Sequence, residues 1–319
     1  MKFRFFRVAT IAAFVVAASA GSAQLGGIGG LGDKLKRKVG IDNVLQGRPP
    51  ITTSLEDARW GDATKDGFTP REATRSLMTL QRTPNGGFVL QPGFYALQSQ
   101  SYCLKAGTHG PGGGDGYLYA PPKGPAEDAV MTIVRNSVNR PEIPQSRIQQ
   151  LLWAIIARAR FEDLTGELKA TASQLLTPRQ LASLNRSALD VLRGNALTDA
   201  LGGVPGPLRQ VAQAEAQLRQ MLTTPGASFA EMERIAVLSG AAPRGEGSRD
   251  IPSGRWSLHP DGYYVRYLPS GYSSTRVEIW VPQGSPAVGK EYDPATHIAV
   301  PGNTARQRLI QSGRAQQGH

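Results

Sequence analysis

Ile148-Gln149-Gln150-Leu151-Leu152-Trp153-Ala154-Ile155-Ile156 is the stretch on which the reading of the fold turns. Its residues Ile148, Leu151, Leu152, Ile155 and Ile156 recur at three- and four-residue intervals, the spacing that lines one face of an α-helix. Pro141 and Pro144 precede it as start signals. Outward from there, helical periodicity holds from Glu127 to Gly240. Thr177-Pro178-Arg179-Gln180 carries Thr at an N-cap, Pro at the first helical position and Gln at the reciprocal capping position, ahead of Leu181 and Leu184. Ser228-Phe229-Ala230-Glu231 repeats that logic ahead of Met232, Ile235 and Leu238, and a further helix is expected from Pro207 to Leu222. The expected centre is a helical bundle with short Pro/Gly connections.

Extended segments are expected on both sides of it. Phe88-Val89-Leu90 and Phe94-Tyr95-Ala96 flank the turn Gln91-Pro92-Gly93, and the glycine-rich stretch from Gly107 to Gly116 reads as a loop. Beyond a Gly/Arg-rich break, Arg255 to His259, Tyr263 to Leu268 and Thr275 to Val281 read as a three-stranded antiparallel meander, turned at Asp261-Gly262 and Pro269-Ser270-Gly271. So small a meander needs packing from elsewhere, as a flap on the helical body or as part of a larger mixed sheet. The expected class is α+β: a β-rich segment plus helical body over 51–240, a linker over 241–253, the meander over 254–300 and a polar, frayed tail over 301–319.

With 319 residues, 40% of them apolar, the chain can bury a sizeable core. Lys2, Arg4 and Arg7 precede the apolar run Val8 to Ala18, and the small residues Gly21-Ser22-Ala23 follow, so residues 1–23 read as a cleaved secretory signal peptide. The run is shorter than the roughly 20 residues a membrane-spanning helix needs. Export to the periplasm, cell surface or medium is the expected localisation. Residues 24–50 form a flexible Gly-rich arm whose Lys34, Lys36, Arg37 and Lys38 suit weak contact with an anionic surface. The remaining positive charge, out of a net +11, is dispersed, which together with export argues against nucleic acid as partner. A single cysteine excludes a disulfide framework and multi-cysteine metal sites; no metal site emerges and no cofactor is expected.

That one cysteine carries the candidate chemistry. Cys103 lies in Ser101-Tyr102-Cys103-Leu104, after an expected strand and before the glycine-rich loop, while Gln149 and Trp153 stand four apart on one face of the central helix. The commoner fates of such residues are burial for the cysteine, a surface amide for the glutamine and core packing for the tryptophan. Taken together, the two motifs resemble the thioester domains of bacterial surface adhesins, in which an aromatic-Cys-aliphatic motif is paired with a helix carrying Gln and, four residues on, Trp. The resemblance runs from Ser101 to Phe161. It implies Cys103 as the reactive thiol, Gln149 as its partner, and Tyr102 and Trp153 as the surround that keeps the site dry; Gln150 is a competing partner. The implied chemistry is attack of the thiolate on the carboxamide with loss of ammonia, leaving an acyl thioester that an amine-bearing partner opens once.

The alternative chemical class is an extracytoplasmic cysteine hydrolase or transpeptidase, with His109 as general base or with His259 or His297 brought in by the fold. A third reading is a purely non-covalent glycan- or peptide-binding protein, for which Tyr263, Tyr264, Tyr267 and Tyr272 offer aromatic surface. The expected function is an exported envelope or secreted interaction module with a protein or glycan partner, more a binder than an enzyme.

Overall fold

The computed structural model describes residues 49–189, 201 and 206–316. The signal peptide over 1–23 and the basic cluster of the arm lie outside the described residues. Strands β1 (Thr74–Ser76), β2 (Phe88–Val89), β3 (Gly93–Cys103), β4 (Thr108–His109) and β5 (Tyr117–Ala120) come first. Six helices follow among the described residues: α1 (Glu127–Ser137), α2 (Gln145–Ile156), α3 (Gly166–Leu175), α4 (Pro178–Arg186), α5 (Gly206–Leu222) and α6 (Phe229–Ala236). The chain then returns to strands, β6 (Val237–Leu238), β7 (Ser257–Leu258), β8 (Tyr264–Pro269), β9 (Ser274–Val281), β10 (Glu291–Tyr292), β11 (Ile298–Pro301) and β12 (Leu309–Ala315).

The helices do not form the centre of the molecule. Seven strands pair antiparallel in the order β5-β11-β12-β3-β9-β8-β7, with β1 added in parallel alongside β3. The two ends of this sheet come together, because the Tyr119 main-chain N–H in β5 donates to Ser257 Oγ in β7 at 3.0 Å. The result is a nearly closed barrel with helices packed on one side. The expectation of a central helical bundle with a separate three-stranded meander is thereby corrected. The meander exists as β7-β8-β9, but β9 continues into β3 through eight register pairs from Gly93↔Val281 to Gln100↔Ser274.

Alternation along the strands explains two cores. Tyr95 and Leu97 of β3, Tyr117 and Tyr119 of β5, Val265 and Tyr267 of β8, and Val277, Ile279 and Val281 of β9 fill the barrel interior. Residues of opposite parity on β3, β5, β11 and β12, among them Tyr102, Leu118, Ile298, Val300 and Ile310, face the helices and join Ile133, Leu151, Leu152, Trp153 and Leu218 in a second core. With layers on both of its faces, β3 is buried along nearly its whole length and shows no polar face in sequence.

The expected frayed tail is also overturned: Leu309–Ala315 forms β12, paired with β3 and β11 in the middle of the sheet. Its polar residues Gln311 and Ser312 are fully buried, and Ser312 O accepts a hydrogen bond from Ser99 Oγ at 2.5 Å. At the helix starts, Thr177 makes the full reciprocal cap with Gln180, whereas Ser228 heads α6 without a side-chain hydrogen bond.

Candidate functional site

The fold brings Cys103 and Gln149 into contact through the main chain of the cysteine. Strand β9 leaves β3 after Gln100, so the main-chain groups of residues 101–103 on that edge need other partners. Helix α2 supplies them with two glutamines four residues apart. Gln145 Nε2 donates to Ser101 O at 3.1 Å and to Ser273 O at 2.6 Å. Gln149 Oε1 accepts from the Cys103 N–H at 2.8 Å while its Nε2 donates to Cys103 O at 3.2 Å. The Gln149 carboxamide thus stands in for a missing strand and is itself 1% exposed.

Cys103 has inward parity with Tyr95 and Leu97 and is 0% exposed. Burial pushes its thiol far above the ordinary cysteine range, and the negative charge of Glu233 on α6 adds to the shift. Glu233 accepts a hydrogen bond from Tyr272 Oη. Tyr102 and Trp153 belong to the core on the helix side, the side from which Gln149 arrives; Trp153 stacks on Phe229 at 5.5 Å. Gln150 points elsewhere, its Nε2 lying 3.7 Å from Met232 Sδ.

The histidines occupy other places. His109 in β4 is tied by its main chain to Ala305 O and Gln307 N, and no hydrogen bond joins its ring to Cys103 among the described residues. His259 and His297 stack on each other at 5.0 Å between centroids, beside Tyr119 and Tyr263. The Asp261 N–H donates to His259 Nδ1 at 3.1 Å, leaving Nε2–H to donate to Tyr119 Oη at 3.1 Å. His297 Nδ1–H donates to Asp293 O at 2.8 Å, and Nε2 accepts from Tyr263 Oη at 2.6 Å. Burial lowers His259 to about 4 and holds His297 well below its ordinary value, which favours neutral rings in an aromatic plug. Among the described residues no group of three His, Cys, Asp or Glu is placed to hold a metal ion.

Two surfaces carry groups open to a partner. On the outside of β8 and β9, Tyr264 and Trp280 stack at 5.1 Å and Phe68 lies against Trp280 at 4.9 Å, all three half-buried. Lys65 Nζ stands 5.6 Å from the Phe68 ring centre and 5.7 Å from that of Tyr264. The tyrosines in and just before β8 therefore divide: Tyr264 faces out, while Tyr263 and Tyr267 fill the barrel.

The second is a cavity of about 250 Å³ just beyond the Cys103–Gln149 joint, walled by Leu104, Ile156, Val211 and Ala212. Lys105 and Glu215 both line it, and neither makes a hydrogen bond or ion pair within the described residues. The wall is held close because Gly107 carries no side chain. A Cβ there would lie 2.8 Å from Ala214 Cβ and 3.0 Å from Gln210 O on α5, and its φ of +65° suits glycine. Sequence reading missed Lys105 and Glu215. The available signal was Glu215 itself, an acid at helical spacing on the apolar stripe Leu208, Val211, Ala212, Leu218 and Leu222 of α5.

No family model, curated protein or solved structure matches the chain.

Proposed function

We propose that the chain is an exported interaction module of the cell envelope that holds a glycan non-covalently on the outer face of β8 and β9. The observation that carries this reading is the contiguous platform of Phe68, Tyr264 and Trp280. Stacked half-exposed rings offer flat apolar area to the C–H faces of a sugar. Lys65 lies over the Phe68 and Tyr264 rings, and Arg266 and Arg276, both ion-paired with the buried Glu278, border the platform. Export rests on the leader-like N-terminus and predicts that the mature chain starts at Gln24. The test is co-sedimentation with insoluble envelope polysaccharide. Trp280→Ala and Tyr264→Ala are expected to weaken retention roughly tenfold each, the scale of one or two kcal/mol per lost ring. Retention unchanged in both variants overturns the reading.

A second reading, the internal thioester, is favoured by one observation: Gln149, the residue paired with Cys103 by motif, touches Cys103. For the bond to form, the carboxamide must leave both main-chain hydrogen bonds and the buried thiol must lose its proton. Intact mass of the mature protein decides it. A mass lower by one ammonia, to which methylamine then adds its whole mass as an N-methylamide while one thiol is freed, supports the thioester; full mass with one thiol titrating only after unfolding overturns it.

A further inference from the structure

Lys105 differs in its setting from the other described lysines. Lys123 and Lys290 are ion-paired at the surface with Asp57 and Asp261, Lys169 is exposed and bonded to Glu162 O, and Lys65 stands over aromatic rings. Lys105 leaves the end of β3 into the mainly apolar cavity described above, which Arg158 also lines, with no carboxylate paired to it. Behind it is Arg308, 7% exposed, whose Nε donates to Thr53 O while Nη1 has no partner. Lys105 and Glu215 are half-buried at the cavity wall, and an amine partly withdrawn from water beside a second cation is the arrangement that favours an unprotonated, nucleophilic lysine. Across the same cavity is the Glu215 carboxyl, also without a hydrogen-bond partner, in surroundings that favour its protonated form.

We propose that Lys105 captures a small apolar aldehyde or ketone in this cavity as an imine, with Glu215 as the proton carrier. The Nζ lone pair attacks the carbonyl carbon and the C=O π bond opens onto oxygen, which takes the Glu215 proton. The carbinolamine nitrogen then returns a proton to the Glu215 carboxylate. Departure of the hydroxyl, protonated by the same carboxyl, releases one water and leaves C=N with its remaining N–H proton passing back to Glu215. The net change is amine plus carbonyl to imine plus water, with Glu215 regenerated and no oxidant or reductant required. The apolar wall selects a hydrocarbon substituent, and a volume of about 250 Å³ restricts it to a short chain or a single ring.

Burial and the charge of Arg308 lower Lys105 to about 7, opposed by Glu215. Burial raises Glu215 to about 7 against Arg158, Arg219 and Lys105. An amine titrating there stays reactive at neutral pH, where surface lysines near 10.4 are almost wholly protonated.

The experiment incubates the folded protein at pH 7 with hexanal or benzaldehyde and sodium cyanoborohydride, which reduces an imine to a stable secondary amine, followed by peptide mapping. Lys105 is expected to be labelled at least roughly tenfold faster than Lys65, Lys123, Lys169 or Lys290. Urea-unfolded protein should lose that preference. Lys105→Arg should abolish the dominant adduct without a change in circular dichroism, and Glu215→Gln should slow labelling at Lys105 alone. The labelling rate at Lys105 should pass through a maximum near pH 7, because the amine gains its lone pair and Glu215 loses its proton over the same range, and should continue to rise for the surface lysines. Labelling that follows exposure, or a Lys105 rate still rising to pH 10, overturns the proposal. So does saturable binding of the aldehyde without an adduct.

Discussion

Gln149 shows how one side chain can finish a sheet. Replacing it with leucine keeps the volume roughly but leaves the Cys103 N–H and C=O buried without partners, at about 1–3 kcal/mol for each. Gln149→Leu is therefore expected to lower the unfolding free energy by about 3 kcal/mol in urea titration. Cys103→Ala removes only a small buried thiol and should cost about 1 kcal/mol, because its main chain keeps both hydrogen bonds. A covalent Cys–Gln link would be lost in either variant, so it would raise the cost of Cys103→Ala well above 1 kcal/mol without making Gln149→Leu the milder change. The pairing of these two residues was an implication of the resemblance of two short motifs to a thioester domain. That the contact uses the peptide of Cys103 was not legible, because where β9 leaves β3 is set by strands far away in sequence.

At the scale of elements, helices read well from local pattern and caps less so. α2 and α5 follow their apolar stripes, and α4 starts where Thr177 and Pro178 place it. Thr177 Oγ1 accepts from the Gln180 N–H at 3.3 Å, and the Thr177 N–H donates to Gln180 Oε1 at 2.9 Å. Ser228 has the same sequence context, yet its hydroxyl makes no cap bond. Thr177→Ala is expected to cost about 1 kcal/mol, and Ser228→Ala to fall within about 0.5 kcal/mol of the parent. Thermal or urea unfolding of the two variants distinguishes them. An equal cost would mean that the hydroxyl of Ser228 caps in solution.

For the whole molecule, the barrel was hidden because its strands come from both ends of the chain. β3 and β5 precede the helices, β7 to β12 follow them, and only long-range pairing such as β3 with β12 and β5 with β11 joins the halves. Local periodicity reports the helices strongly and says nothing of that closure. The closed interior also sets a pH response with two opposed parts. His259 folds with its pKa lowered from an ordinary 6.5 to about 4, and burial holds His297 well below its ordinary value too. Between those values the unfolded chain binds more protons, so this part of the stability is complete above pH 6.5 and is lost as the pH falls toward 4. Glu215, raised to about 7, acts the other way: its folded form holds the proton more tightly, so its contribution grows as the pH falls from 7 toward 4.5. The His259 and Glu215 shifts each correspond to about 3 kcal/mol at most. Urea unfolding at pH 7, 6 and 5 should therefore show a shallower acid loss in His259→Gln, whose amide can still donate to Tyr119 Oη, and a steeper one in Glu215→Gln. If both variants follow the parent slope, neither group changes its proton affinity on folding. If the two slopes exchange, His259 is charged inside the barrel and Glu215 is ionised in its cavity, which would also remove the proton donor that imine formation at Lys105 requires.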